Sequence, residues 1–333
     1  MATIHESASC YEDWLREQLH GEIVLKQDLA KKHEKMRASP FAFLRATYWR
    51  WAETIFDVCP DLADGTPVLA VGDVHLENYG TWRDIDGRLA WGVNDFDEAA
   101  EMPYGLDLVR LATSALLGRE TRRVADEEIC VAVLQGYRQG LRAPCPVVLD
   151  RDKQWLRELV VVPEKERAKF WKKMGGARGK SAPERYATAI AESMPEPGLS
   201  IKTSRRSAGT GSLGRPRWVG LAEWRGAPII REAKALVMSA WSRVHAEREK
   251  DVPVGEIAQG RFRPIDPWYR ITNKLVVRRL SPNNRKIELE EGESTLFGRD
   301  VLQMMGFELA NVHLGTKDRR NAIKHDLDRR RRG

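Results

Sequence analysis

Two short runs gather the side chains best suited to chemistry: VLAVGDVHLENYG, with Asp73, His75 and Asn78, and VNDFDEA, with Asp95 and Asp97. Each follows an apolar stretch that reads as a strand, so the polar residues sit in loops held by rigid supports. Four residues separate Asp73 from Asn78, enough for one side chain to face a hydroxyl while the other coordinates a cation. Phosphoryl transfer needs that combination, a carboxylate to orient the attacking hydroxyl and hard oxygen ligands for magnesium. Asp and Asn most often cap turns and helices. Two oxygen-rich clusters at strand exits outweigh that reading here.

A second constellation lies far downstream. Gly209-Thr-Gly211-Ser212-Leu-Gly214 matches GxGxxG, which alone carries little weight. A dinucleotide fingerprint must open into a helix, whereas here RWVGL reads as a strand and a hairpin turn follows at Trp224-Arg225-Gly226. A glycine loop between antiparallel strands places backbone N–H groups over nucleotide phosphates. The next strand, IIREAK, ends in Lys234, with Glu232 on the same face by alternation. The arrangement resembles that of protein kinases, and the resemblance implies a carboxylate partner for Lys234 from the following helix, where Glu247 and Glu256 are the options.

These residues resemble a known pattern. Asp73-x-x-x-x-Asn78 is similar to the catalytic loop of protein kinases and of aminoglycoside and choline phosphotransferases, and Asp95-Phe96-Asp97 to their metal-binding segment. The resemblance implies that Asp73 is the catalytic aspartate, that Asn78 and Asp95 are metal ligands assisted by Asp97, and that Asp107 in YGLDLVRLA braces the catalytic loop. The glycine loop and Lys234 would contact the nucleotide. In ordinary kinases these parts precede the catalytic loop; here they follow it, which implies a circularly permuted kinase-like fold. The chain also resembles an uncharacterised bacterial family, domain of unknown function 2252, through KMRASPFAFLRA, VGDVHLENYG, VNDFDEA, LDLVRLATS, GTGSLGR, REAKAL, KLVVRRL and ELANVHLGT, from Lys35 to Thr316. In the last stretch Ala310-Asn-Val-His313-Leu stands where that family leads one to expect alanine-histidine-alanine-arginine.

The expected function is an ATP- and magnesium-dependent phosphotransferase acting on an unidentified hydroxyl acceptor, a small molecule or a protein. Glu98, Glu101 and Arg110 are polar candidates for the acceptor pocket. The alternatives are a pseudokinase-like nucleotide-binding module and a nucleotidyl transferase that moves AMP with the nucleotide reversed. A calcineurin-like metallophosphatase, suggested by Asp73-x-His75, comes third, because its later GDxxD and GNHE motifs are missing and His245, His313 and His325 read as solvated. His75 reads as a loop-positioning residue.

The elements that must hold these groups are legible in outline. A buried helix is expected over 28–58, with Phe41, Leu44, Tyr48 and Trp51 at helical spacing. Strands are expected at 67–71, 88–93, three places within 201–236 and 270–280, and helices at 106–117, 125–140, 153–173 and 300–314. The chain is therefore α+β: a helical catalytic lobe over 1–195, an antiparallel nucleotide-binding lobe over 196–285, returning helices over 286–316 and a basic tail over 317–333. With 333 residues and 42% apolar content it can bury a large core. The four cysteines form no CxxC pair, against a zinc site or a disulfide framework. No apolar run reaches the roughly 20 residues of a membrane span, so a cytoplasmic protein without a membrane partner is expected. Of the formal charge of +7, most lies in 317–333, where eight Lys or Arg meet three Asp or Glu. A solvated tail is expected there, and nucleic acid is not expected as a partner except through it.

Overall fold

The computed structural model describes residues 2–19, 26–118, 125–175, 180–207, 209–246, 252–285 and 298–331. It is an α+β protein with more helix than strand and small antiparallel sheets. The expected helix over 28–58 is three helices. After α1 (Ile4–Gln18) come α2 (Lys26–Ala38), α3 (Pro40–Ala46) and α4 (Tyr48–Val58). The breaks have local causes. Pro40 supplies no N–H and disfavours helical backbone at Ser39, whose Oγ instead accepts from the Ala42 N–H at 3.1 Å. At the second break the Thr47 hydroxyl donates back to the Phe43 carbonyl at 2.7 Å.

Strand β1 (Pro67–Ala70) leads into the first polar loop, β2 (Tyr79–Arg83) and β3 (Leu89–Val93) form a hairpin, and β4 (Ala100–Pro103) returns to pair antiparallel with β1. The hairpin closes because Tyr79 pairs with Val93, which sets Asn78 next to Asn94 and the two polar loops side by side. Helices α5 (Gly105–Gly118), α6 (Asp126–Arg142), α7 (Gln154–Val160), α8 (Glu164–Gly175) and α9 (Glu184–Glu192) follow. The helix expected over 153–173 is split where Pro163 interrupts it, and α9 lies where the sequence pattern gives no expected element.

The later sheet runs in the order β5 (Lys202–Arg205), β6 (Arg217–Trp224), β7 (Ala227–Ala235), β9 (Leu275–Leu280), β8 (Arg270–Thr272), all antiparallel. Its hairpin turn carries positive φ at Arg225 and Gly226, as a tight two-residue connection requires. The single strand expected at 270–280 is likewise a hairpin, turning at Asn273 and Lys274. Short helices α10 (Ala240–His245) and α11 (Val254–Ala258) link β7 to β8, and α12 (Arg299–Leu314) returns to pack on α6. The tail also departs from expectation. Its described part forms α13 (Arg320–Arg330), and Arg329 and Arg330 pair with Asp64 and Asp326. No helix among the described residues is long and apolar enough to cross a membrane.

Helices α6 and α12 touch backbone to backbone, which only glycine allows. A Cβ at Gly306 would lie 2.0 Å from the Val133 carbonyl oxygen, and one at Gly136 1.7 Å from that of Gln303. Gly306→Ala should therefore destabilise the protein by about 2–3 kcal/mol in urea unfolding at an unchanged slope. Unaltered stability would contradict this contact.

Candidate functional site

The loop after β1 is held by one buried carboxylate. Asp107, in the first turn of α5, accepts the backbone N–H groups of Val71 at 2.8 Å and Gly72 at 3.0 Å. It also meets His313 Nε2 at 3.0 Å, and His313 Nδ1 meets the Tyr137 hydroxyl at 2.9 Å. His313 is therefore a buried residue of α12, not the solvated one expected from its charged neighbours. It lies in the Ala310–Leu314 stretch that departs from the expected run.

Asp73 follows directly. Its Oδ1 accepts from Arg110 Nε at 3.2 Å and from Arg110 Nη2, one turn along α5 from Asp107. Arg110 is clamped by the Leu44 carbonyl and lies over the rings of Tyr48 and Trp51. Burial pushes the Asp73 carboxyl up to about 6, against the pull of Arg110. Such a group is mostly ionised at neutral pH yet basic enough to take a proton. Asn78 Nδ2 donates to the Asp73 carbonyl at 2.8 Å, which ties the two ends of the loop together. His75 Nδ1 accepts the Glu77 N–H at 3.1 Å, a local bond that shapes the loop.

The second cluster meets the later sheet. Lys234 Nζ, buried on β7, lies 3.3 Å from Asp95 Oδ1 and forms a closer ion pair with Asp97 Oδ2. Asp95 is 39% exposed in its side chain, whereas Asp97 is buried and, among the described residues, its Oδ1 accepts no hydrogen bond. The two carboxyls titrate in opposite directions. Burial would raise Asp95, but Lys234, Arg278 and Arg217 hold it well below the usual range. Asp97 is raised by burial and by the neighbouring Asp95 charge.

The glycine loop sits on the same loops. A Cβ at Gly211 would come within 3.0 Å of the Arg45 carbonyl oxygen and 3.1 Å of Asp73 Oδ2, so the bare backbone is what fits. Ser212 Oγ accepts from Arg217 Nη2 at 2.8 Å. Gly209 and Gly214 both have positive φ, at 77° and 98°, which bends the chain round the turn. From α2, Lys32 donates to the Gly211 carbonyl and Lys35 to the Thr210 hydroxyl, each at 3.3 Å. Burial brings Lys32 down to about 8.

The residues thus converge. A cleft of about 50 Å³ is lined by Asp73, Asn78, Asp95, Asp97, Gly211 and Ser212, together with Lys32, Arg45 and Arg215. A larger cavity of about 280 Å³ shares Asp95 and Gly209 with it and extends along the sheet. Glu98 lines the cleft but is used internally, paired with Arg215 and accepting the Ala240 N–H. Glu101 lies on a separate groove, as does Glu256, which is exposed on α11. The ion-pair partners of Lys234 are Asp95 and Asp97 instead, and Glu247 lies outside the described residues. Lys32, Arg45 and Arg215 are contributors that motif reading does not reveal. Lys32 had a signal, since it falls three residues after buried Leu29 on the inward stripe of α2.

A bacterial family described as "Uncharacterized protein conserved in bacteria (DUF2252)" matches residues 25–194, just over half of the chain, and the chain belongs to it. The match takes in Asp73, Asn78, Asp95, Asp97 and Asp107 and ends before the glycine loop and Lys234. No curated protein and no solved structure matches the chain.

The setting of Asp73 makes a direct prediction. Its carboxyl should titrate near pH 6 by carbon-detected NMR, and Arg110→Met, by removing the neighbouring cation, should move that midpoint upward. A midpoint near 4 in the wild type would contradict the burial that raises it.

Proposed function

We propose that this member of the bacterial family is a metal-dependent phosphotransferase of the kinase type, taking its donor group from ATP and passing it to an unidentified hydroxyl. The observation that carries the reading is the meeting of Lys234 with Asp95 and Asp97 beside Asp73 and the glycine loop. The order of parts in the later sheet adds support. The glycine loop joins its first and second strands and the lysine is on its third, as in kinase nucleotide lobes. In sequence the sheet follows the catalytic loop, so this reading entails a circularly permuted, two-lobed kinase-like architecture.

The donor set suits magnesium. Among the described residues no three His, Cys, Asp or Glu side chains form a closed metal cluster. Magnesium, however, uses one or two carboxylates and fills its remaining positions with waters and substrate phosphates. Asn78, Asp95 and Asp97 would hold it: Asp97 Oδ2 is ion-paired with Lys234, and its buried Oδ1 accepts no hydrogen bond among the described residues. When bound, the ion neutralises phosphate charge during transfer. Asp73 orients the acceptor hydroxyl and takes its proton, while Arg110 fixes the carboxylate rotamer. The loop at 209–214 covers the phosphates with backbone N–H groups, and Lys234 contacts them. A two-metal phosphatase would need more ligands than this set offers.

Calorimetric titration should show ATP binding that depends on magnesium and is abolished by Asp95→Ala. Asp73→Asn should leave ATP affinity within about threefold while cutting turnover by about 10²–10⁴. Magnesium-dependent binding that survives in Asp95→Ala would overturn the metal assignment, and ATP binding with no turnover in the wild type would favour a pseudokinase-like module.

A further inference from the structure

The larger cavity has a wall that the reading above leaves unused. Glu232 on β7, 0% exposed, is surrounded by three guanidinium groups: Arg206, Arg217 at 3.4 Å and Arg278 at 2.8 Å. All three arginines line the cavity, and Arg279, 3.7 Å from Asp266, lines it beside them. Asp95, whose charge Arg217 and Arg278 also feel, is a second carboxylate facing these three guanidiniums, which leaves one positive charge uncompensated within that group. Among the described residues, the buried Nε atoms of Arg206 and Arg279 have no hydrogen-bond partner. Concentrating cations and orphan donors in a cavity is costly unless a ligand supplies negative charge. Planar guanidinium forks match phosphate oxygens better than any neutral ring.

Position decides what this means. Asp73 lies only in the small cleft, Asp95 lines both spaces, and the arginines lie only in the larger one. Moving away from Asp73, a ligand therefore meets Asp95, which pairs with Lys234 behind it, and then the arginine cluster. A nucleotide bound base inwards would set its uncharged base and ribose on three guanidiniums. Bound phosphates inwards, it sets its most charged end there.

We propose that ATP enters phosphates first, with its β- and γ-phosphates on Arg206, Arg217 and Arg278 and its α-phosphate at Asp95, so that the group transferred is AMP. This rests on the nucleotide-dependent reading and specifies which bond is broken. The acceptor oxygen forms a bond to the α-phosphorus, and the bond from that phosphorus to the α,β-bridging oxygen breaks. The electron pair leaves with pyrophosphate, which the three arginines retain, and the hydroxyl proton passes to Asp73.

The test uses the full chain with magnesium, ATP and inorganic tripolyphosphate. Tripolyphosphate should bind by calorimetry and compete with ATP, and Arg206→Gln and Arg278→Gln should each weaken both ligands by about tenfold or more. With water as the acceptor oxygen in this mixture, chromatography of turnover products should give AMP and pyrophosphate. The products of the wild type, AMP with pyrophosphate rather than ADP with phosphate, carry the proposal even where an arginine variant fails to fold. ATP binding that tripolyphosphate does not displace, or ADP and phosphate as products, would overturn the inference while the phosphotransferase reading stood. Absence of binding by either ligand would sink both.

Discussion

An ammonium group with little access to water must be paired, and that constraint organises this molecule. Lys234 reaches the end of β7 buried, and the carboxylates that accept it come from the loop after β3, at Asp95 and Asp97. Pairing them fixes the later sheet against the hairpin of β2 and β3. It also sets the sheet register, because Arg217 stands opposite Lys234 and Arg278 opposite Glu232. The positive wall of the cavity and the acidic loops are thereby held within one another's fields. Asp95 stays ionised because of it, and Asp97 is driven towards protonation by the same crowding.

The other half of the site rests on Asp107. Its carboxylate satisfies two backbone donors of the loop before Asp73 and is itself tied through His313 to Tyr137, linking α5, α12 and α6. Such a fully bonded buried network defines one loop geometry. Arg110 then gives Asp73 a fixed partner without wholly offsetting the cost of burying its charge, so the carboxyl stays poised as an acceptor of protons. A backbone so held tolerates the close approach of Gly211, and the cleft is consequently narrow.

Much of this was legible from residue type and local context. Asp73, Asn78, Asp95, the glycine loop and Lys234 are side chains at strand ends, and short-range patterns locate strand ends. Family membership was legible too, through runs such as VGDVHLENYG. What failed depended on tertiary contact. Periodicity carried the first helix across Ser39–Pro40 and Thr47, where side-chain bonds to backbone end it. Composition made 317–333 a solvated tail, although Asp61, Asp64 and Asp326 give Arg329 and Arg330 partners that order α13. Charged surroundings hid the burial of His313. An analogy of order pointed to Glu256 for Lys234, whereas the carboxylates beside it came from far earlier in the chain.

The central claim is that two distant segments build one site through Lys234. A double-mutant cycle on unfolding free energy, with Lys234→Met, Asp97→Asn and the double variant, measures that link directly. Coupling of about 1 kcal/mol or more, with the double variant less destabilised than the sum of the singles, is the predicted result. Additivity within about 0.5 kcal/mol would contradict it.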